Sequence, residues 1–456
     1  MAISTGDRIG LLFDFDWDAE AHRRIAAQAG LRLERAGFDL FTFPDNLGLL
    51  GFDLERFARR QAARARRQHW RAVVSHHEQF GALAAALVAE AAGLPGARPE
   101  AIVACQHKLH ARRVLQQVAP EATPAFSALE AAYGDPIPEG LAYPCFVKPV
   151  KAAFSVLARR AASHAELTAH TRFGRRERWV IRHLVEPFER VARSRLPEAG
   201  TAHRMMLEEP VSAPQYNLDG WVQGGELHVL GFVDAQMVPG TQAFMRFDLP
   251  SRLDPEHRAR AADVARRFLE AVGFRDGFFN MEFFVEPHSG RLTVIEFNPR
   301  LASQFGDLYR RVLGRDPHAM ALAIAAGEEA AAVPAAAPTA GAASSFVFRA
   351  LSASRVPPMP SALQRARLHR EFPDALLFEM PKSGRALERD FKWLGSHRYG
   401  ILHLGGRDPD DLRARCERAS AMLGWPAPYA DVADVTEVTE LALDAAVPLA
   451  RPGGSR

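Results

Sequence analysis

The sequence predicts an α/β protein in three parts: a doubly wound α/β region, a central α+β region and a small C-terminal α+β region. Three observations carry this. Apolar strand-like runs alternate with helical periodicity over residues 1–100. Two runs of period two flank a PHSG turn at 287–290 and read as a β-hairpin. An Ala-rich stretch broken by Pro and Gly at 328–345 separates this region from further strand-like segments. At 456 residues the chain has room for about three domains.

In chain order, RIGLLFDF (8–15) reads as a buried strand, followed by a helical pattern to about Ala36 and a second strand, GFDLFTFP (37–44). WRAVVS (70–75) is a third apolar run, and an Ala-rich helix follows from Gln79 to Ala92, stopped by Gly93. Residues 101–330 alternate again. A helix is expected over 255–272, with Asp254 as N-cap and Gly273 as stop. FVFRAL (346–351), ALLFEM (375–380) and YGILHLGG (399–406) read as strands, and a helix runs from about Asp408 to about Leu423. The tail from about Ala445 is expected to fray. The domain boundaries this gives are 1–100, 101–330 (divided near 205), a linker over 331–345, and 346–445.

Composition removes several function classes. Hydrophobic residues are 48% and charged residues 24%, so large cores are available. No run approaches the roughly 18 apolar residues of a membrane span, and aspartates stand where a signal peptide needs an apolar run. A net charge of +3 gives no reason to expect a nucleic-acid partner. Cys105, Cys145 and Cys416 form no CxxC pair, which points to a reducing, cytoplasmic setting. Of the 57 basic residues only Lys108, Lys148, Lys151, Lys382 and Lys392 are lysines. A lysine kept in so Arg-rich a chain suits a site where a compact ammonium meets one phosphate oxygen.

The segment FFNMEFFVEPHSGRLTVIEFNPR (278–300) carries the clearest chemistry. Glu296 and Asn298 leave one face of the second strand, and a five-residue connection (287–291) sets Glu282 opposite Glu296. Two carboxylates and an amide oxygen on one face call for a counter-charge, and an all-oxygen set suits Mg²⁺ or Mn²⁺. Pro299 ends the strand and projects Arg300, a clamp for carboxylate or phosphate. YPCFVKPV (143–150) is an apolar strand carrying Lys148, Lys108 opens a helix over 108–118, and MMLEEPV (205–211) is an apolar strand ending in paired acids.

Taken in order, these four elements resemble the ATP-grasp superfamily over roughly residues 100–330. The family pattern is a lysine at a helix start, a strand lysine before a phosphate-covering loop, an acidic interdomain hinge and a metal-binding hairpin ending E-x-N-P-R. The resemblance implies a three-part ATP-grasp architecture, with an α/β domain before the central domains and a small α+β domain after them. It implies that Lys108 and Lys148 hold ATP phosphates and that the backbone near Glu208, Glu209 and Val211 reads adenine. Glu282, Glu296 and Asn298 are implied to hold Mg²⁺, and Arg300 to steady an acyl phosphate or a substrate carboxylate. The expected activity is a carboxylate–amine ligase that makes an amide through an acyl phosphate, from small-molecule acid and amine substrates. Assembly as a homodimer stays open.

The sequence departs from the family in three places. The segment after Lys148, PVKAAFSVLARR, lacks the usual glycines, leaving Ser155 to donate a hydrogen bond and Lys151 or Arg159 to add charge. Gln215 stands where a ribose-binding Glu is common. Leu301-Ala302-Ser303-Gln304-Phe305 replaces paired glycines, so the acceptor pocket is narrower or differently shaped. A lid is expected over 239–252, with Met237, Phe244, Met245 and Phe247 beside it as a side-chain pocket. LFDFDWD (12–18) reads as a loop and not a phosphatase nucleophile. SHHEQF (75–80) reads as a helix N-terminus and not a metal-ligand pair, because neighbouring residues point apart, and the basic helix over 56–71 as a solvated face. Neither a dinucleotide fingerprint nor a P-loop motif occurs. Two other functions remain: a biotin-carboxylase-like enzyme using bicarbonate, and a nucleotide-binding module without turnover. The full set of three metal ligands argues against the second.

Overall fold

The computed structural model describes residues 4–40, 45–152 and 156–429. The described residues fall into two compact units. The first comprises the chain up to Asp234, Asp248–Ala343 and Gly405–Leu412; the second comprises Ala235–Phe247, Ser344–Leu404 and the chain from Arg413 onward.

The first unit opens with a parallel three-stranded sheet in which Arg8–Leu12 lies between Arg32–Ala36 and Trp70–Val74. The helix after the first strand is Asp16–Ala29, ended by Gly30 at φ +68. The expected helix to Ala36 and strand over 37–44 are therefore corrected. Gly30 takes the left-handed conformation that closes a helix, and Arg32–Ala36 pairs with the first strand instead of continuing it. Residues 37–40 are outside any strand, and 41–44 lie outside the described residues. The Ala-rich helix starts at Gly81, later than expected, and ends at Gly93.

An antiparallel four-stranded sheet follows, in the order Phe126–Ala128, Met205–Glu208, Cys145–Pro149, Arg159–Ala161. The remaining strands of the first unit run in the order Leu292–Asn298, Gly277–Val285, Gln215–Gln223 and the start of Glu226–Met237. Helix Pro255–Ala271, capped by Asp254 accepting from His257 N at 3.0 Å, covers the apolar face, where Phe268 stacks on Phe297 at 3.8 Å. A further core joins Ile9, Leu11, Ile25 and Val74 to Phe278, Leu301 and helix Pro317–Ala325.

The second unit contains strand Leu376–Glu379, most of strands Phe244–Leu249, Ala342–Ala350 and His397–Gly406, helices Ala362–Glu371 and Gly384–Leu394, and most of Pro409–Leu423. Two expectations change here. The last residues of the 331–345 linker already belong to strand Ala342–Ala350. The 239–252 lid is largely the regular strand Phe244–Leu249, in which Met245 and Phe247 are buried and Phe244 packs on Phe247 at 5.0 Å. Met245 and Phe247 are thus core side chains of this strand, while Phe244 and Met237 are half-buried. The expected frayed tail lies outside the described residues. Among the described residues no helix is long and apolar enough to cross a membrane.

Candidate active site

Three neighbouring strands build one polar face. Glu282 on Gly277–Val285 is in register with Glu296 on Leu292–Asn298 and with Asn217 on Gln215–Gln223, and Asn280 pairs with Asn298 and Asp219. The residues between them, Met281, Phe283 and Phe297, point to the buried opposite face. The expected pairing of Glu282 with Glu296 is present, but the connection is one residue longer than expected. Val285 pairs with Leu292, and a register shift near Phe283 leaves Ile295 as an extra residue on the second strand. That bulge frees the Ile295 carbonyl from the ladder, where it accepts from Arg112 Nη2 at 2.7 Å and Lys148 Nζ at 3.3 Å.

The two carboxylates cannot both ionise at this separation without help. Burial and the charge of Glu296 push the Glu282 carboxyl up. Burial also works against Glu296, but Lys108 and then Lys148 outweigh it and hold Glu296 ionised well below the usual range. Lys108 Nζ lies 2.9 Å from Glu296 Oε2 and donates to Ala152 O at 3.0 Å. Burial would lower its pKa, yet Glu296 raises it. Glu282 accepts from Gln215 Nε2 at 2.9 Å and from Asn298 Nδ2 at 3.2 Å. An acid pair in which two amides donate to Glu282 and an ammonium faces Glu296, with Glu282 favouring its proton, is an oxygen donor set that a hard divalent cation would fit.

Lys148 lies 2.9 Å from Glu208 Oε2, and Arg112 Nε lies 2.6 Å from Glu208 Oε1. Burial brings the Lys148 ammonium down to about 8, with Glu208 working the other way. Glu208 stays ionised despite burial because Arg112 and Lys148 flank it. The Glu208 side chain thus clamps two cations. Glu209 is exposed; its N donates to Ala125 O at 2.8 Å and its carboxylate meets Arg291 at 3.0 Å. Val211 is half-buried in the crossing to the next strand.

Arg300 donates from Nε to Glu78 Oε2 at 2.9 Å and from Nη1 to Leu301 O at 3.3 Å. Glu78 belongs to SHHEQF, which leads into the helix that begins at Gly81, and Ser75, His76, His77, Glu78, Gln79 and Phe80 are all buried there. Gln79 Nε2 donates to Leu184 O at 2.7 Å, and the Glu78 carbonyl accepts from Gln106 at 2.9 Å and Lys151 at 3.2 Å. Lys151 is buried there, and burial lowers it to about 7. Ser155 lies outside the described residues.

Sequence reasoning missed Arg112, Asn217, Asp219, Asn280, Tyr309 and Glu78. Asp219 is fully buried, accepting from Tyr309 OH at 2.7 Å and Asn280 Nδ2 at 3.1 Å; burial pushes its carboxyl up to about 7. NLDG at 217–220 keeps the period-two polar pattern of the facing hairpin, which was the signal available for Asn217 and Asp219.

Residues 141–307, which carry this hairpin, the strand lysine and Arg300, match the family model of the ATP-grasp domain. The chain contains an ATP-grasp domain. It is 28% identical over 214 residues to the uncharacterised protein y4rH of Sinorhizobium fredii, covering 46% of this chain and 39% of that protein. The match thus spans about two fifths of that relative's length. The L-amino acid ligase from Bacillus licheniformis superimposes with a TM-score of 0.62 at 16% identity, over 92% of this chain and 97% of that one. The carboxyaminoimidazole ribonucleotide synthase from Aspergillus clavatus, in its complex with ATP, gives 0.61 at 14% identity, over 93% and 99%. At these identities the likeness shows the ATP-grasp fold. Lys108 lies before the matched residues and reaches the ATP-grasp hairpin through its contact with Glu296.

Proposed function

We propose that this chain is an ATP-dependent carboxylate–amine ligase that works in the cytoplasm. The observation that carries the reading is the register pairing of Glu282 with Glu296, faced by Lys108 at 2.9 Å. Such a face is costly unless a polyanion and a divalent cation complete it. A Mg²⁺ or Mn²⁺ ion held by Glu282, Glu296 and Asn298 would supply positive charge against phosphate oxygens.

The reaction has two steps. A substrate carboxylate oxygen attacks the terminal phosphorus of ATP, ADP leaves, and an acyl phosphate forms. An amine then attacks the acyl carbon and phosphate departs, giving an amide. In this reading Lys108 and Lys148 exchange part of their carboxylate contact for phosphate oxygens. Gln215 and the backbone from Glu208 to Val211 flank the nucleoside. Arg300, a permanent cation, steadies the carboxylate and the charge that develops on the acyl phosphate. An apolar cavity of about 90 Å³ beside Arg300, lined by Val74, Ile102, Phe278, Leu301 and Ile324, supports an amino acid with a small apolar side chain as one substrate.

The test is phosphate release from Mg-ATP across a panel of amino acids and small amines, with mass detection of the product. An amide product that disappears in Glu296→Gln supports the reading. ATP turnover that needs bicarbonate and yields a carboxylated product overturns it in favour of a carboxylase, and no turnover with any pair favours a binding module.

A further inference from the structure

Outside the hairpin face, four buried side chains from three distant parts of the first unit converge. Asp18 and His22 stand four residues apart on helix Asp16–Ala29 and so share a face. His76 follows strand Trp70–Val74, and His318 lies in the first turn of helix Pro317–Ala325. They are 0, 0, 5 and 3% exposed. His318 Nε2 lies 3.0 Å from Asp18 Oδ1, and a ligand atom from each of Asp18, His76 and His318 lies within 4.8 Å of the other two. The His22 ring is centred 5.8 Å from that of His76 and 5.5 Å from that of His318.

Hydrogen bonding leaves this cluster incomplete. Both ring nitrogens of His22 and Nε2 of His76 are buried without a hydrogen-bond partner. The nearest anion to His22, Asp14 Oδ1, is 3.8 Å from its Nδ1, too far for a hydrogen bond. A buried polar atom left unpaired is costly, so three unpaired nitrogens on two rings packed beside a buried carboxylate are an expensive arrangement for packing alone. The fold also keeps space for it: a Cβ on Gly306 would run into the His318 ring.

We propose that Asp18, His76 and His318, with His22 packed beside them, form a second metal site for a zinc-like divalent ion, separate from the oxygen site at Glu282 and Glu296. Imidazole nitrogens with one carboxylate suit Zn²⁺ and its neighbours and are poor ligands for Mg²⁺. With bonds of about 2.0–2.2 Å, tetrahedral ligands lie roughly 3.3–3.5 Å apart, a contraction that small side-chain rotations supply. Arg300 is the cation that opposes the ion, and Glu78 is bound to it. The ion would also join the N-terminal sheet to the loop 75–80, which carries both His76 and Glu78. It would thereby position the partner of Arg300.

The experiment uses the full chain, stripped with chelator and titrated with Co²⁺ in excess Mg²⁺, so that the oxygen site is occupied. The expected result is one tightly held Co²⁺ per chain with the intense visible bands of a four-coordinate ion, displaced by Zn²⁺, and a melting temperature that rises with Zn²⁺. Loss of an outer partner of a metal ligand costs 10–100-fold in affinity, so loss of a direct ligand in His76→Gln or Asp18→Asn should cost at least about 100-fold. Glu296→Gln should bind Co²⁺ as the unaltered chain does. The proposal is overturned if the chain takes up no stoichiometric Co²⁺ or Zn²⁺, or if His76→Gln binds as tightly. Should the variants fail to fold, zinc-edge absorption on the unaltered chain decides: an imidazole shell supports the site, and an all-oxygen shell overturns it.

Discussion

At the residue scale, the ion pairs of the site determine how single substitutions read out. Arg300 is tied to Glu78, so Arg300→Ala removes a reacting-site cation and also strands a buried carboxylate. Melting temperature and ligation rate should both fall. The double variant Glu78→Gln/Arg300→Ala separates them: melting should recover most of its loss, while the rate per folded molecule stays at least about 100-fold down. Recovery of the rate along with melting would make Arg300 structural. Lys148 gives a pH signature. Its folded value of about 8 lies below the 10.5 of an unperturbed lysine because it is buried. Phosphate binding needs the ammonium, so ATP affinity should fall about tenfold per pH unit above 8. Stability should move the other way, rising between pH 8 and 10.5, because there the unfolded chain holds the proton that the folded chain has released. Lys148→Met should flatten both profiles, and an unchanged affinity profile would place Lys148 away from phosphate.

At the element scale, the hairpin shows which features the sequence makes legible. Period-two alternation put Glu282, Glu296 and Asn298 on one face, because a register slip would turn Phe283 and Phe297 out to water. The bulge was not legible, since an extra residue leaves no mark on composition and shows only in pairing. SHHEQF leads into a helix as expected, but its burial was not legible, because it depends on Leu184, Gln106 and Lys151 from other elements meeting its polar atoms. Asp18 and His318 are 300 residues apart, beyond any local pattern. The strand Arg32–Ala36 was hidden by its own helical spacing, which pairing with Arg8–Leu12 overrode. The bulge also makes a prediction. Deleting Ile295 leaves Val294 opposite Phe283 and Glu296 opposite Glu282, so the polar face survives. What disappears is the carbonyl shared by Arg112 and Lys148. Hydrogen bonds to charged groups contribute about 1.5–3 kcal/mol each, so the variant should fold and bind ATP roughly 10–100-fold more weakly. Normal ATP affinity in the deletion variant would show that the bulge has no part in holding the lysine.

At the scale of the whole molecule, the N-terminal sheet and the ATP-grasp hairpin sheet of the first unit share packing. Helix Pro317–Ala325 touches strand Trp70–Val74, helix Asp16–Ala29 and strand Gly277–Val285, and its residues join Ile9, Leu11 and Val74 to Trp221 and Phe278 in one core. Polar contacts cross the same boundary: Arg24 meets Asp316 at 2.6 Å and Trp17 Nε1 donates to Ser303 Oγ at 2.9 Å. Met320 sits at the middle of that helix with 0% exposure. Truncating it opens a cavity in that shared core, so Met320→Ala should cost about 2–5 kcal/mol. If the shared core makes the first unit cooperative, the loss appears equally at sites distant from the cavity. Amide hydrogen exchange in Trp70–Val74 and in Gly277–Val285 should speed up by the same factor, and heating should give one transition for both strands. A factor confined to one strand would mean that the N-terminal sheet opens independently of the ATP-grasp face. The His76–Glu78 loop could then leave Arg300 without unfolding the hairpin.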